Sequence, residues 1–249
     1  MRVAPPGYTR YWRPGTTVVA RDDIADAVRD AMERGSLYEW AAGHPERRLL
    51  QGRLPTYAAP LPRSGPRVVV RRNAHGGALA SWRGDRFLFP RAPFELAMSL
   101  VLTELGVPTA EVVAYAMYRA NLIERRSDVA TLELPPGLDL GAALLEPAPA
   151  DRRAARWNAV GALLRRLAEQ GVWHQDLNVK NVYLIEEGDS PPRAAILDVD
   201  RARLVDPGRG VAQVNSARLR RSLRKWEVAR GAKLRPDELS ALDVAAALS

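Results

Sequence analysis

Residues 174 to 185 read His-Gln-Asp-Leu-Asn-Val-Lys-Asn-Val-Tyr-Leu-Ile, and thirteen residues beyond Ile185 stands Asp198, followed by Val199 and Asp200. Metal-assisted phosphoryl transfer needs an acid that accepts a hydroxyl proton and, five residues on, an asparagine that holds the ion. Asp176 and Asn181 stand at that spacing, with His174 two residues ahead of the acid. Val182 to Ile185 and Ala194 to Leu197 are short apolar runs that predict the two strands of one hairpin. A hairpin there returns Asp198 towards Asn181, which makes Asp198 the second expected metal ligand. An isolated Asp-x-Asp is ordinarily a turn and a lone histidine is ordinarily packed, so the weight lies in the two halves occurring together and in this order.

The pattern predicts an α+β, protein-kinase-like fold in two lobes. Residues 1–134 are expected to hold an amino-terminal extension and a small, mainly β nucleotide-binding lobe with one helix, and residues 135–249 a mainly helical catalytic lobe. A chain of 249 residues with 47 % hydrophobic content can fill such cores.

Lysine usage sharpens the reading. Lys180, Lys225 and Lys233 are the only lysines, so nothing ahead of the catalytic loop supplies the strand lysine that usually clamps the α and β phosphates of ATP. An arginine must serve there, or the clamp is absent. Val68-Val69-Val70 begins a strand that Arg71 and Arg72 extend into a turn at Gly76-Gly77. Side chains alternate along a strand, so Val69 and Arg71 share the face expected to cover the nucleotide, while Val70 and Arg72 share the other. Arg71 is the favoured clamp, and Arg72 is the choice if the register slips by one. Pro93 to Leu105 reads as a helix with Phe94, Met98, Val101 or Leu102, and Leu105 at helical spacing. Glu95 lies in its first turn, where it can pair with the strand arginine through two parallel hydrogen bonds, or simply favour the helix dipole.

The remaining pattern is coarser. Residues 1 to 20 are rich in Pro and Gly and read as irregular. Asp22 and Asp23 open a helix with Ile24, Val28 and Met32 on one face and Gly35 as its stop. Residues 36 to 66 resist assignment, and any strands there should be short. Strands are expected over 111–118 and 130–134, with an interlobe hinge at Pro135-Pro136-Gly137. Asp151 is expected to cap a helix running to about Gln170, with Ala154, Trp157, Val160, Leu164 and Leu167 on its buried face. Beyond Asp200, a helical stretch carries Arg218, Arg220, Arg221, Arg224 and Lys225 around Leu219, Leu223 and Trp226. That surface reads equally as a solvated face and as a basic patch for anionic lipid phosphates.

There is no cysteine, which excludes disulfides and thiolate metal sites. The amino terminus lacks an apolar signal core, and no apolar run approaches the roughly 18 residues of a spanning helix, so neither export by that route nor membrane insertion is expected. The formal charge of +8 favours an anionic partner without choosing among nucleic acid, membrane surface and phosphorylated substrate.

Gly171-Val-Trp-His-Gln-Asp-Leu-Asn-Val-Lys-Asn-Val, Ile196-Leu-Asp-Val-Asp-Arg, Pro207-Gly-Arg-Gly and Asn215-Ser-Ala-Arg-Leu-Arg-Arg-Ser-Leu resemble the lipopolysaccharide core kinases. Val69-Val-Arg-Arg-Asn-Ala-His-Gly-Gly, Gly84-Asp-Arg-Phe and Tyr118-Arg-Ala-Asn extend the likeness over roughly residues 50 to 230. Within that family the sequence looks most like members acting on 3-deoxy-D-manno-octulosonic acid (Kdo). The resemblance implies an ATP-dependent kinase of a Gram-negative bacterium, working with Mg2+ at the cytoplasmic face of the inner membrane. Its acceptor would be a Kdo-bearing lipid A precursor, and its membrane contact would be peripheral, with nucleic acid an unlikely partner. By position, Asp176 would be the catalytic base, Asn181 and Asp198 the magnesium ligands, and Arg71 with Glu95 the phosphate clamp. His174 would support the loop, and Asn178 would help position the γ-phosphate or the acceptor.

Two features depart from the pattern. Gly52-Arg-Leu-Pro-Thr-Tyr, where a glycine-rich loop should bind the nucleotide phosphates, keeps one glycine and inserts Pro55. Val199 replaces the usual aromatic residue between the two aspartates, a tolerable change for a side chain that packs. Three alternatives stay open: a heptose kinase of the same pathway, an aminoglycoside-type phosphotransferase of soluble substrates, and a catalytically dead kinase-like binding module.

Overall fold

The computed structural model describes residues 3–50, 54–73, 85, 87, 90–235, 238–240 and 242. Two compact units make up the chain, Met1–Leu100 with Glu111–Glu133, and Val101–Ala110 with Leu134–Ser249.

The first unit is built on an antiparallel sheet of β1 (Tyr8–Arg13), β2 (Thr16–Arg21), β3 (Arg48–Leu50), β4 (Thr56–Pro60), β5 (Arg67–Arg72), β6 (Val112–Arg119) and β7 (Arg125–Leu132). Their order across the sheet is β1-β2-β6-β7-β5-β4-β3. Both faces are covered, because the strands carry apolar residues at successive positions as well as alternate ones. Val18, Ala20, Val68, Val70, Ala114 and Ala130 pack against Val28 of α1 (Ala25–Ala31) and against Leu37 and Ala41 of α2 (Leu37–Gly43). Val19, Tyr115 and Val129 turn the other way, onto Ala92 and Leu96 of α3 (Ala92–Glu104). A bulge between Val112 and Ala114 lets Val112 and Tyr115, three residues apart, share that second face.

The second unit holds a three-stranded antiparallel sheet, β8 (Gly137–Asp139), β10 (Val182–Ile185) and β11 (Arg193–Ile196), and a pair formed by β9 (Val172–His174) and β12 (Ala202–Leu204). Around them lie α4 (Leu140–Leu145), α5 (Ala150–Glu169) and α6 (Arg209–Arg230). Trp157, Val160, Leu163, Leu164 and Leu167 bury one face of α5, which packs on α6 and β11. Each such side chain contributes roughly 1.5–3 kcal/mol. Ile196 donates its N–H to the Pro108 carbonyl at 2.9 Å and accepts the Thr109 hydroxyl at 3.0 Å, so segment 108–109 seals the outer edge of β11. Among the described residues no helix is long and apolar enough to cross a membrane.

Several expectations need correction. Residues 8–21 are a hairpin rather than irregular chain: Pro14 and Gly15, read as breakers, are its turn, with Gly15 at φ +70°. The 36–66 stretch contains α2, opened by a capping box in which Ser36 and Glu39 bond each other's backbone N–H. Strand β7 starts at Arg125, five residues ahead of the expected start, because its first residues are polar. On α3, Met98 and Leu102 are buried as expected, but Phe94 is exposed, and the helix also buries Leu96 and Ser99. Pro149 is the N-cap of α5, with Asp151 in the first turn, and Ala154 is exposed. Gly76 and Gly77 lie outside the described residues.

Candidate active site

In the second unit the loop between β9 and β10 is braced largely by its own polar groups. Asn178 and Asn181 both donate their side-chain amides to the Asp176 carbonyl at 2.9 Å, and Asn178 Oδ1 accepts the Lys180 N–H at 2.9 Å. Asn178 thus has both ends of its amide engaged inside the loop. Asn181 uses its nitrogen there, leaving Oδ1 with no donor among the described residues. The Asp176 carboxylate is exposed and accepts no hydrogen bond from a described residue.

The hairpin sets the distance between the two expected metal ligands. Val182 pairs with Ile196 in the β10–β11 ladder, and Leu197 continues the pairing by donating its N–H to the Asn181 carbonyl at 2.8 Å. Asn181 and Asp198 therefore leave the same end of one ladder. Asp198 takes a left-handed backbone conformation, φ 57° and ψ 62°, which costs on the order of 1 kcal/mol and persists only where the surroundings enforce it. One such enforcement is Val199, which is buried as expected for a residue that packs.

His174 is fully buried. Its Nδ1 accepts the Asp176 N–H at 3.3 Å, which puts the ring proton on Nε2 in the neutral form. Burial pushes its pKa below the ordinary histidine value, and the carboxylates of Asp198 and Asp176 only partly offset that. Sequence reasoning missed the residue that holds this strand. Gln175 N–H bonds Arg201 O and Val205 N–H bonds Gly171 O, so the odd positions of β9 face β12 while Val172 O and His174 N–H point away. Asn215 of α6 satisfies both, accepting from His174 N–H at 3.1 Å and donating to Val172 O at 2.8 Å. One amide stands in for a third strand. Seven residues on, Ser222 accepts the Val179 N–H at 3.2 Å. The polar pair Asn215 and Ser222, two turns apart on a helix that otherwise buries Leu219 and Leu223, was the available signal.

In the first unit, Arg71 lies on the α3 side of β5 and forms an ion pair with Glu95, which is almost fully buried. Arg71 also donates to Asn73 Oδ1 at 2.6 Å. Val69 lies on the same side of the strand, half-buried. Arg72 takes the opposite side, towards Asp128, Ser36 and the ring of Tyr38. Gly52 lies outside the described residues. Among the described residues no cluster of three or more His, Asp or Glu could bind a metal unaided, so an ion at Asn181 and Asp198 would need further oxygens from elsewhere.

An antiparallel sheet with a buried-acid helix in one unit, and a braced Asp-to-Asn loop followed by a hairpin in the other, define a protein-kinase-like fold. A similar solved structure, described as WaaP in complex with acyl carrier protein, matches with a TM-score of 0.56 at 18% identity, over 92% of this chain and 88% of that one. The model of the lipopolysaccharide kinase (Kdo/WaaP) family matches residues 80–237, and the chain belongs to that family. Among curated relatives, the 3-deoxy-D-manno-octulosonic acid kinase of Xylella fastidiosa (strain M12) is 28% identical over 170 residues, covering 64% of this chain and 62% of that protein. The enzyme of the same name from Mannheimia succiniciproducens is 30% identical over 173 residues, covering 65% and 67%. The chain thus spans a little under two thirds of the length of the Xylella relative.

Proposed function

We propose that this chain is an ATP-dependent phosphotransferase that phosphorylates a sugar hydroxyl of the lipopolysaccharide inner core, with Kdo on a lipid A precursor as the acceptor. The observation that carries the reading is the shared end of the β10–β11 ladder, from which Asn181 and Asp198 both leave, beside an exposed Asp176 carboxylate with no described partner. Family membership and relatives named as Kdo kinases support the choice of acceptor.

Asp176 would accept a hydrogen bond from the acceptor hydroxyl and take its proton as the phosphoryl group transfers. Asn178 and Asn181, bonded to the Asp176 carbonyl, keep that carboxylate's backbone fixed. The Asn181 Oδ1 and the Asp198 carboxylate are hard oxygen donors of the kind Mg2+ prefers, and they would hold the ion. When bound, such an ion neutralises charge on the transferring phosphate. Arg71 would donate to the donor phosphates, held in orientation by Glu95. His174, buried and neutral, positions the loop and takes no proton. On this reading the protein works peripherally at the cytoplasmic surface of the inner membrane, with α6 presenting the exposed Arg221, Arg224 and Lys225.

The test is transfer from labelled ATP with Mg2+ to Kdo-bearing lipid A precursor, beside a heptosylated acceptor, an aminoglycoside and an Asp176→Ala control. Label on the Kdo lipid, absent in the control, is expected. Label on the heptosylated lipid alone would reassign the acceptor, and no label anywhere would remove the enzymatic reading.

A further inference from the structure

Arg71 and Arg72 are neighbours on β5 and point to opposite faces of the first unit's sheet, and only Arg71 is used above. On the other face, between α2 and the ends of β1, β2, β6 and β7, opens a cleft of about 460 Å³. Among the described residues that line it, four carry guanidinium groups, Arg13, Arg72, Arg119 and Arg126, and one a carboxylate, Glu39. Two of the four are balanced by carboxylates: Arg72 pairs with the buried Asp128 at 3.4 Å, and Arg126 with Asp85 at 3.0 Å. Among the described residues the other two meet no carboxylate. Arg13 donates to the carbonyls of Met32 and Glu33, and Arg119 to the carbonyl of Asn121 at 3.3 Å; carbonyls fix a guanidinium's direction without neutralising its charge.

The cleft is also built rigidly. Arg72 lies over the Tyr38 ring at 4.6 Å and reaches Ser36 Oγ at 3.4 Å, and the Tyr118 hydroxyl in its wall accepts the Leu37 N–H at 2.8 Å. Glu39 is occupied by the Ser36 backbone N–H at 3.0 Å, which holds its carboxylate back at the start of α2. Guanidinium forks with excess positive charge in a concave, polar-walled cleft, one of them fixed by Tyr38 and Ser36, form a receptor for phosphate, whose oxygens match the fork geometry in pairs.

We infer that this cleft, which shares no residue with the catalytic loop and lies on the sheet face opposite Arg71, is a second anion site that binds a phosphomonoester or diphosphate group. The phosphate belongs either to a lipid headgroup or to a soluble molecule. The inference stands whether or not the chain transfers phosphate from ATP, because none of its residues belongs to that machinery.

The experiment uses the full chain with a saturating non-hydrolysable ATP analogue, so that any nucleotide site is filled. Calorimetry with inorganic pyrophosphate and flotation with vesicles of phosphatidic acid in phosphatidylcholine are run on wild type, Arg119→Gln/Arg126→Gln and Arg119→Lys/Arg126→Lys. Circular dichroism and thermal melts confirm that each variant folds. At least a tenfold loss of pyrophosphate affinity in the Gln pair, with partial retention in the Lys pair, supports the site with a soluble ligand. Vesicle binding lost in the Gln pair, with no pyrophosphate binding in wild type, supports it with a lipid phosphate. Wild-type binding of both probes by the Gln pair, or no binding of either by wild type, overturns it.

Discussion

Replacing Asn215 on α6 should weaken the second unit severely. The residue is fully buried, and its amide satisfies two backbone groups at the open edge of β9, His174 N–H and Val172 O. Leucine keeps the branching of the side-chain heavy atoms, is bulkier, and bonds neither group. An orphaned buried backbone group costs about 1–3 kcal/mol, so Asn215→Leu should cost about 2–6 kcal/mol, against a typical total stability of about 5–15 kcal/mol. Asn215→Asp keeps the acceptor for His174 N–H but sets an oxygen against the Val172 carbonyl, so it should be no better than leucine. Ser222→Ala removes one bond, at 3.2 Å in a partly buried position, and should cost about 1 kcal/mol. Urea unfolding followed by tryptophan fluorescence gives the three values. A loss below about 1 kcal/mol for Asn215→Leu would mean that water or a shifted strand satisfies β9, and that the amide is not its brace.

Other expectations follow from the same geometry. Asp176→Asn should abolish transfer to a lipid acceptor while leaving the urea midpoint unchanged, since the exposed carboxylate accepts no hydrogen bond from a described residue; retained turnover would take the proton-accepting role from it. Because the folded pKa of His174 lies below the unfolded value, the unfolded chain binds a proton that the folded chain refuses. Stability should therefore fall as pH drops below about 6.5, by up to about 1.4 kcal/mol per pH unit, and His174→Gln should flatten that slope between pH 7.5 and 5.5. Gly171→Ala should destabilise severely, by more than about 2 kcal/mol, since φ is +63° and the added carbon would meet the Val205 carbonyl oxygen at 2.1 Å. A melting temperature near wild type would refute that strain. Glu95→Gln should raise KM for ATP more than it lowers thermal stability, because the ion pair orients Arg71; an unchanged KM would count against the clamp.

What was legible in the sequence is what local chemistry determines. The β10–β11 hairpin, β5 with its alternating faces and the buried side of α5 follow from apolar spacing, and the Arg71–Glu95 pair follows from strand alternation plus a first-turn acid. The β1–β2 hairpin was hidden because its turn uses the residues that also signal absence of structure. The α2 helix was hidden in part because its buried residues are few, although Ser36 and Glu39 announced it. The partners of Asn215 and Arg72 were illegible for another reason: each lies far away in sequence, forty-one residues for His174 and fifty-six for Asp128. No periodicity carries such pairings.

The common origin of Asn181 and Asp198 on one ladder separates spacing from length. Both residues are placed by the four paired positions from Val182–Ile196 to Ile185–Arg193, and the segment from Glu187 to Pro191 that closes the far end is exposed. Residues can be added or removed there without moving either oxygen donor, at a closure cost that grows only slowly with length. A shift of one pair inside the ladder, by contrast, would turn every strand residue over and part the two donors. Variation among relatives should therefore collect at that tip, leaving the paired segment constant in length, and the tip is the place to insert a reporter or an affinity tag without disturbing the site.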